Sequence, residues 1–214
     1  MLRIVSPAVA SSASVLIAGT LVVSLFPLGH ESGHMALHIV SMNMAAPLIA
    51  AVIAACRATA TTSASWLWLA MLLQIVLLWA WHAPALYNDV AGAPLLQAAL
   101  HAGLLGVATL FWFSVLTVND RSRWHTIPAL LLTGKLACLL AALLIFAPRM
   151  LYDAAGHLAH SVHQATTIGA LDDQHLAGLL MITACPLSYL VAAVMIASQL
   201  ISSRTGLQGA RASG

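Results

Sequence analysis

Apolar residues run almost unbroken for long stretches of this chain, and polar residues collect at the breaks between runs. A helix needs about 20 apolar residues to cross the hydrocarbon of a bilayer. By that measure spans are predicted at about 8–28, 31–56, 65–82, 94–118, 127–150 and 174–201. The first run follows Arg3 and is rich in small residues, as a signal peptide is. Its length and the lack of a clear cleavage site favour a retained helix. The third carries Trp66, Trp68, Trp79 and Trp81 at its two ends, in the manner of an interfacial aromatic belt. His82 to Asp89 reads as a short loop or surface helix, residues 151–173 as a polar outer loop, and 203–214 as a disordered tail. No internal repeat is visible. The expected fold is a single all-α integral membrane domain, a bundle of about six transmembrane helices.

Composition agrees with this pattern. Charged residues make up 7% of the 214, against about 25% in a soluble domain, and mean hydropathy is +0.95. A net charge of +2 with no basic cluster excludes a nucleic-acid partner. Cys56, Cys138 and Cys185 lie far apart, with no CxxC and no CxxCH, and read as small buried hydrophobes. Positive charge sets the orientation. With six spans and both termini cytoplasmic, Arg3, Arg57, Arg121, Arg123, Arg204 and Arg211 all fall inside, Arg149 falls outside, and Lys135 lies within the fifth span. The same topology sends Glu31, Asp89, Asp153, Asp172 and Asp173 to the outer face. It sends His30, His34, His38, His82, His101, His157, His160, His163 and His175 there too, leaving only Asp120 and His125 inside. Histidines that merely cap helices would divide between the faces. Their gathering on one face points to a metal or haem site that opens outward.

The chemistry centres on the start of the second run. On a helix, His30, His34, His38 and Met42 follow at steps of four and share one face. Two imidazoles at that spacing can hold one metal ion, and a thioether adds a soft ligand suited to Cu(I). The competing reading is that these histidines meet water or cap backbone while Met42 fills a gap. His38 and His101 each lie roughly 10–12 Å inside their helix starts at 1.5 Å per residue. Polar groups at that depth face the bundle interior rather than lipid. His82 and His175 lie nearer the rim. His157, His160 and His163 belong to the outer loop and read either as loose ligands or as a solvated, pH-sensitive surface. Cys185-Pro186 reads as a buried thiol at a helix kink. No Ser-His-Asp set and no Gly-rich phosphate loop is visible, so the chain is read as a non-enzyme.

His34-Met35-x-x-His38 with Pro47-Leu48, Trp81-His82-x-Pro84-x-x-Tyr87, His101 with Phe111-Trp112, and Asp173-Gln174 with Gly178-Leu179-x-Met181 together resemble the CtaG-like multi-pass membrane family. Its members are assembly factors of caa-type cytochrome c oxidase. The likeness runs from the second span to the sixth. It departs at Ile182, where the family pattern has Trp, and in compactness, since members often have a further span or longer loops. The His157–His163 loop is particular to this chain. The resemblance implies a protein of the bacterial inner membrane that acts in oxidase maturation, in contact with oxidase subunits or other copper-handling proteins.

The leading expectation is a factor that binds copper, as Cu(I) or Cu(II), at the outer face and delivers it. His34 and His38 would hold the ion, with His101, His82, His175 and Met42 or Met35 as further ligands, and Asp173 would orient an imidazole. His30 and the three loop histidines rank below these. A different class of function is a b-type haem protein with His38 and His101 as its axial pair. A structural subunit of an oxidase complex is a third class, and a homo-oligomer is compatible with all of them. A through-membrane metal transporter is disfavoured, because the inner half offers only Lys135, Cys138, Cys185 and scattered polar groups.

Overall fold

The structure, a computed structural model, describes residues 28–57, 59–90, 93–152 and 169–212, with the side chains of 204–212 excepted. The expected first span and the loop histidines His157, His160 and His163 lie outside the described residues. Helices α1 (His30–Val40) and α2 (Ala46–Cys56) join through a π-helical turn, Ser41–Ala45. There follow α3 (Ala64–Trp81), the short α4 (Pro84–Val90), α5 (Pro94–Thr117), a 3-10 turn over Asp120–His125, α6 (Thr126–Phe146) and α7 (Ala170–Ala212). Among the described residues five continuous stretches are long and apolar enough to cross a membrane: His30–Cys56, Ala64–Trp81, Pro94–Thr117, Asp120–Phe146 and Ala170–Ser203. Among the described residues there is no strand, only an isolated bridge between Thr62 and Val118. The protein is an all-α, multi-pass membrane bundle. Its apolar exterior, including Leu72, Val76, Leu116, Leu139 and Val194, is exposed as a lipid-facing surface would be.

Three helix ends differ from expectation. α6 stops at Phe146 rather than near 150, because Pro148 disfavours helical geometry in the residue before it. α7 begins at Ala170, four residues earlier than expected, and runs to Ala212 through the stretch expected to be a disordered tail. Leu, Gln, Arg and Ala along that stretch propagate a helix well enough to carry its glycines.

The π-turn has a local cause and a tertiary partner. Ala46 N–H bonds back to the Ser41 carbonyl, five residues earlier, where an α-helix would use Met42. The freed Met42 carbonyl accepts the Trp112 indole N–H at 3.0 Å. Trp112 in turn stacks on Tyr189, with planes 12° apart, and Tyr189 accepts from Gln74 Nε2 at 2.8 Å. Asn43, beside Met42, donates to Cys185 Sγ at 3.4 Å. This seam fastens the π-turn, α3, α5 and α7 together in mid-bundle, where water cannot compete for the hydrogen bonds.

Small residues set the tightest contact, between α6 and α7. A Cβ on Gly178 would come within 2.7 Å of Ile145 Cγ1 and 3.0 Å of the Ala141 carbonyl oxygen, while Gly134 faces Pro186. Close backbone approach of this kind drives helix association in lipid, where apolar burial between helices contributes little. Gly178→Val should therefore cost about 1–3 kcal/mol by overpacking. Thermal unfolding in detergent would reveal it as a lowered midpoint.

At the end of the bundle where α1 begins, Gly29 precedes the helix in an extended conformation, and no side chain of its own segment caps it. The cap comes from α7. Asp173 accepts the N–H of Glu31 at 2.8 Å through Oδ2 and that of Ser32 at 3.2 Å through Oδ1. A Cβ on Gly29 would collide with that carboxylate, so this position requires glycine. The neighbouring Gln174 accepts from Leu151 N–H at 2.9 Å and donates to the Leu144 carbonyl at 3.3 Å, tying the end of α6 to α7.

Candidate metal centre

Alternating helix directions bring the start of α1, the end of α3 and the start of α5 to one end of the bundle. Each delivers histidine there. His34 and His38 share one face of α1, a turn apart, and their Nε2 atoms stand 3.1 Å apart. His101, from α5, completes a group whose ligand nitrogens all lie within 4.8 Å of one another. His82 caps α3 and joins from the side, its ring centroid 5.3 Å from that of His38 and 6.3 Å from that of His34. Arg57 and the 3-10 turn with Arg121 and Arg123 lie at the other end, where Asn119 bonds to Thr62.

Carbonyls one helical turn back fix two of the rings. His101 Nδ1 donates to the Gln97 carbonyl and His82 Nδ1 to that of Leu78, each at 2.8 Å. With the proton held on Nδ1, each ring turns an Nε2 lone pair inward, the arrangement second partners impose on metal-binding histidines. Both Nε2 atoms are buried with no hydrogen-bond partner, and so is His38 Nδ1. Two nitrogens on one ion, with bonds of about 2.0 Å in tetrahedral geometry, stand roughly 3.3 Å apart. The 3.1 Å His34–His38 separation matches that spacing. The residues present fit a three- or four-coordinate ion.

Aromatic groups close the surround. The Trp81 ring packs against His101, His38 and His34 at centroid distances of 4.4, 5.2 and 5.5 Å. Tyr87, from α4, lies 5.7 Å from His34 and donates its hydroxyl to Glu31 Oε1 at 2.9 Å. Tyr152 stacks on Tyr87 at 4.1 Å and donates to the His82 carbonyl at 3.4 Å. Burial, with the Glu31 charge next in size, pushes both phenols above their ordinary range. They act as hydrogen-bond donors rather than as acids.

Not every residue expected at the site reaches it. Among the described residues Asp173 bonds to no imidazole: its two oxygens accept backbone N–H groups at the start of α1. His175 stands apart: Asp173, Ala177 and Met181 form the buried stripe of α7, and position 175 points away from that stripe. Among the described residues no ring contact joins it to the cluster, although its Nε2 is buried and unpartnered. His30 is exposed at the mouth of a cleft that leads to His34. Met35 and Met42 are packed into the apolar core, 3% and 4% exposed. Tyr152, the Glu31–Tyr87 hydrogen bond and the identity of the two anchoring carbonyls were not anticipated. The i−4 carbonyl available to any helical histidine is the one local signal that could have found part of this set.

The family model for the cytochrome c oxidase caa3 assembly factor (Caa3_CtaG) matches residues 9–203. The chain belongs to this family. No match was found among curated proteins or among solved structures. The family is one of oxidase assembly factors, and the match covers all the helices that build the imidazole cluster.

Proposed function

We propose that this member of the caa3 assembly-factor family binds copper between His34, His38 and His101, with His82 as a fourth ligand, and passes it to a component of the oxidase. The observation that carries this reading is the convergence of three ligand nitrogens within 4.8 Å, beside buried Nε2 atoms of His101 and His82 that have no protein partner. Orphaned buried acceptors are costly unless something fills the space between them. Imidazole is a good ligand for copper, and the site needs no sulphur, so Met35 and Met42 are not required as ligands. The excess of arginine at the far end supports placing the cluster at the outer face of the bacterial inner membrane.

The haem alternative fits the cluster less well. His38 and His101 stack at 5.1 Å with planes 15° apart, and a porphyrin between axial imidazoles would hold them on opposite sides of its plane. Elemental analysis and an absorption spectrum of the purified protein test both readings. One equivalent of copper without a Soret band is expected. A Soret band, or no copper after loading under reducing conditions, would defeat the copper reading.

A further inference from the structure

We propose that the cleft beside the imidazole cluster is a ligand-exchange port, which admits an uncharged thioether donor from the partner protein, a methionine side chain, directly to the bound copper. This rests on the copper reading above and names the partner chemistry of that same site. The cleft has a cavity volume of about 50 Å³, with Trp81, Leu86, Val90 and Leu100 along its walls and His34 and His101 at its inner end. A single water needs about 10–15 Å³ on that measure, so the cleft has room for a small donor group beside a ligated ion. His38 and His82 are buried, 2% and 5% exposed, so among the described residues the cleft is the open side of the cluster.

The lining selects the entrant. Among the described residues it holds no carboxylate, lysine or arginine, and its one exposed imidazole, His30, stands at the mouth, so a charged donor would lose its hydration at the inner end with no fixed countercharge to replace it. A thioether carries a soft donor atom on an apolar stem, which suits both the walls and Cu(I). The protein's own thiols do not serve this role. Cys56 is exposed at the opposite end of the bundle, Cys138 lies midway along α6, which contributes nothing to the cleft lining, and Cys185 is bonded to Asn43, deeper in the bundle than His38. In the exchange one copper–imidazole bond opens as a copper–sulphur bond forms. The released imidazole stays neutral, and no electron moves.

The test uses the full-length protein in detergent, loaded with Cu(I), and follows release to the bulky anionic chelator bathocuproine disulfonate. N-acetylmethionine methyl ester should accelerate release at least about tenfold. N-acetylnorleucine methyl ester, which has the same shape without sulphur, should leave the rate unchanged. Val90→Trp and Leu86→Trp should each retain the copper equivalent of the parent and lose the acceleration. Equal acceleration by the norleucine ester, none by the methionine ester, or undiminished acceleration in a copper-retaining tryptophan variant would overturn the port. If both tryptophan variants lose copper, the comparison of the two esters on the parent protein decides. Failure of the parent to take up copper overturns the underlying reading as well, whereas copper held without acceleration overturns the port alone.

Discussion

His38→Ala should lower Cu(I) affinity at least about 100-fold, more than loss of an outer-shell partner, which typically costs 10–100-fold. His38 is the centre of the cluster. Its Nε2 is 3.1 Å from that of His34, and its ring contacts those of His82 and His101. Removing it leaves His34, His101 and His82 around an empty centre, and His82, fixed by the Leu78 carbonyl, cannot also move into the place of His38 without breaking that bond. Chelator competition measures the affinity, and thermal unfolding of the metal-free protein supplies the control. A purely structural role predicts lost stability with unchanged copper affinity in the folded fraction. Full occupancy in both His38→Ala and His34→Ala would remove the proposed chemistry.

Asp173→Ala should destabilise the bundle by about 2–4 kcal/mol, because a buried charge-assisted cap disappears and two N–H groups at the start of α1 lose their acceptor. The two hydrogen bonds join residues more than 140 positions apart, so the loss also frees α1 from α7. His34 lies only one turn from the cap. Copper affinity should therefore fall as well, although Asp173 touches no imidazole. Asp173→Asn keeps one carbonyl acceptor and should fall between the two. Thermal midpoint and copper affinity should decline together across the pair; a stability loss that left affinity untouched would mean that the cap does not set the position of His34. Gly29→Ala is the steric counterpart, displacing the carboxylate from the other side.

Much of the scaffold can be read along the chain. Long apolar runs with tryptophans or arginines at their ends must be membrane helices, since nothing else satisfies every backbone group in lipid. The pairing of His34 with His38 is also local, because a four-residue step on a helix is a fixed spatial relation. The π-turn interrupts that period at Met42, and local pattern also misled at Asp173, which looked like a partner for imidazole. The competing demand there was an uncapped helix start on another element, and no local pattern reveals which distant carboxylate will answer it.

From the sequence alone come the membrane bundle, the segregation of histidine from arginine along the chain, and the pairing of two histidines of the cluster, because hydropathy and helical period act on neighbouring residues. Tertiary structure alone decided that His101 and His82 join that pair while His175 does not, and that Trp81 and an apolar cleft border the cluster. Those outcomes depend on how α3, α5 and α7 are rotated about their own axes. Contacts such as Trp112 with Met42, Gln74 with Tyr189 and Gly178 with α6 set that rotation, and each involves residues that only folding makes neighbours.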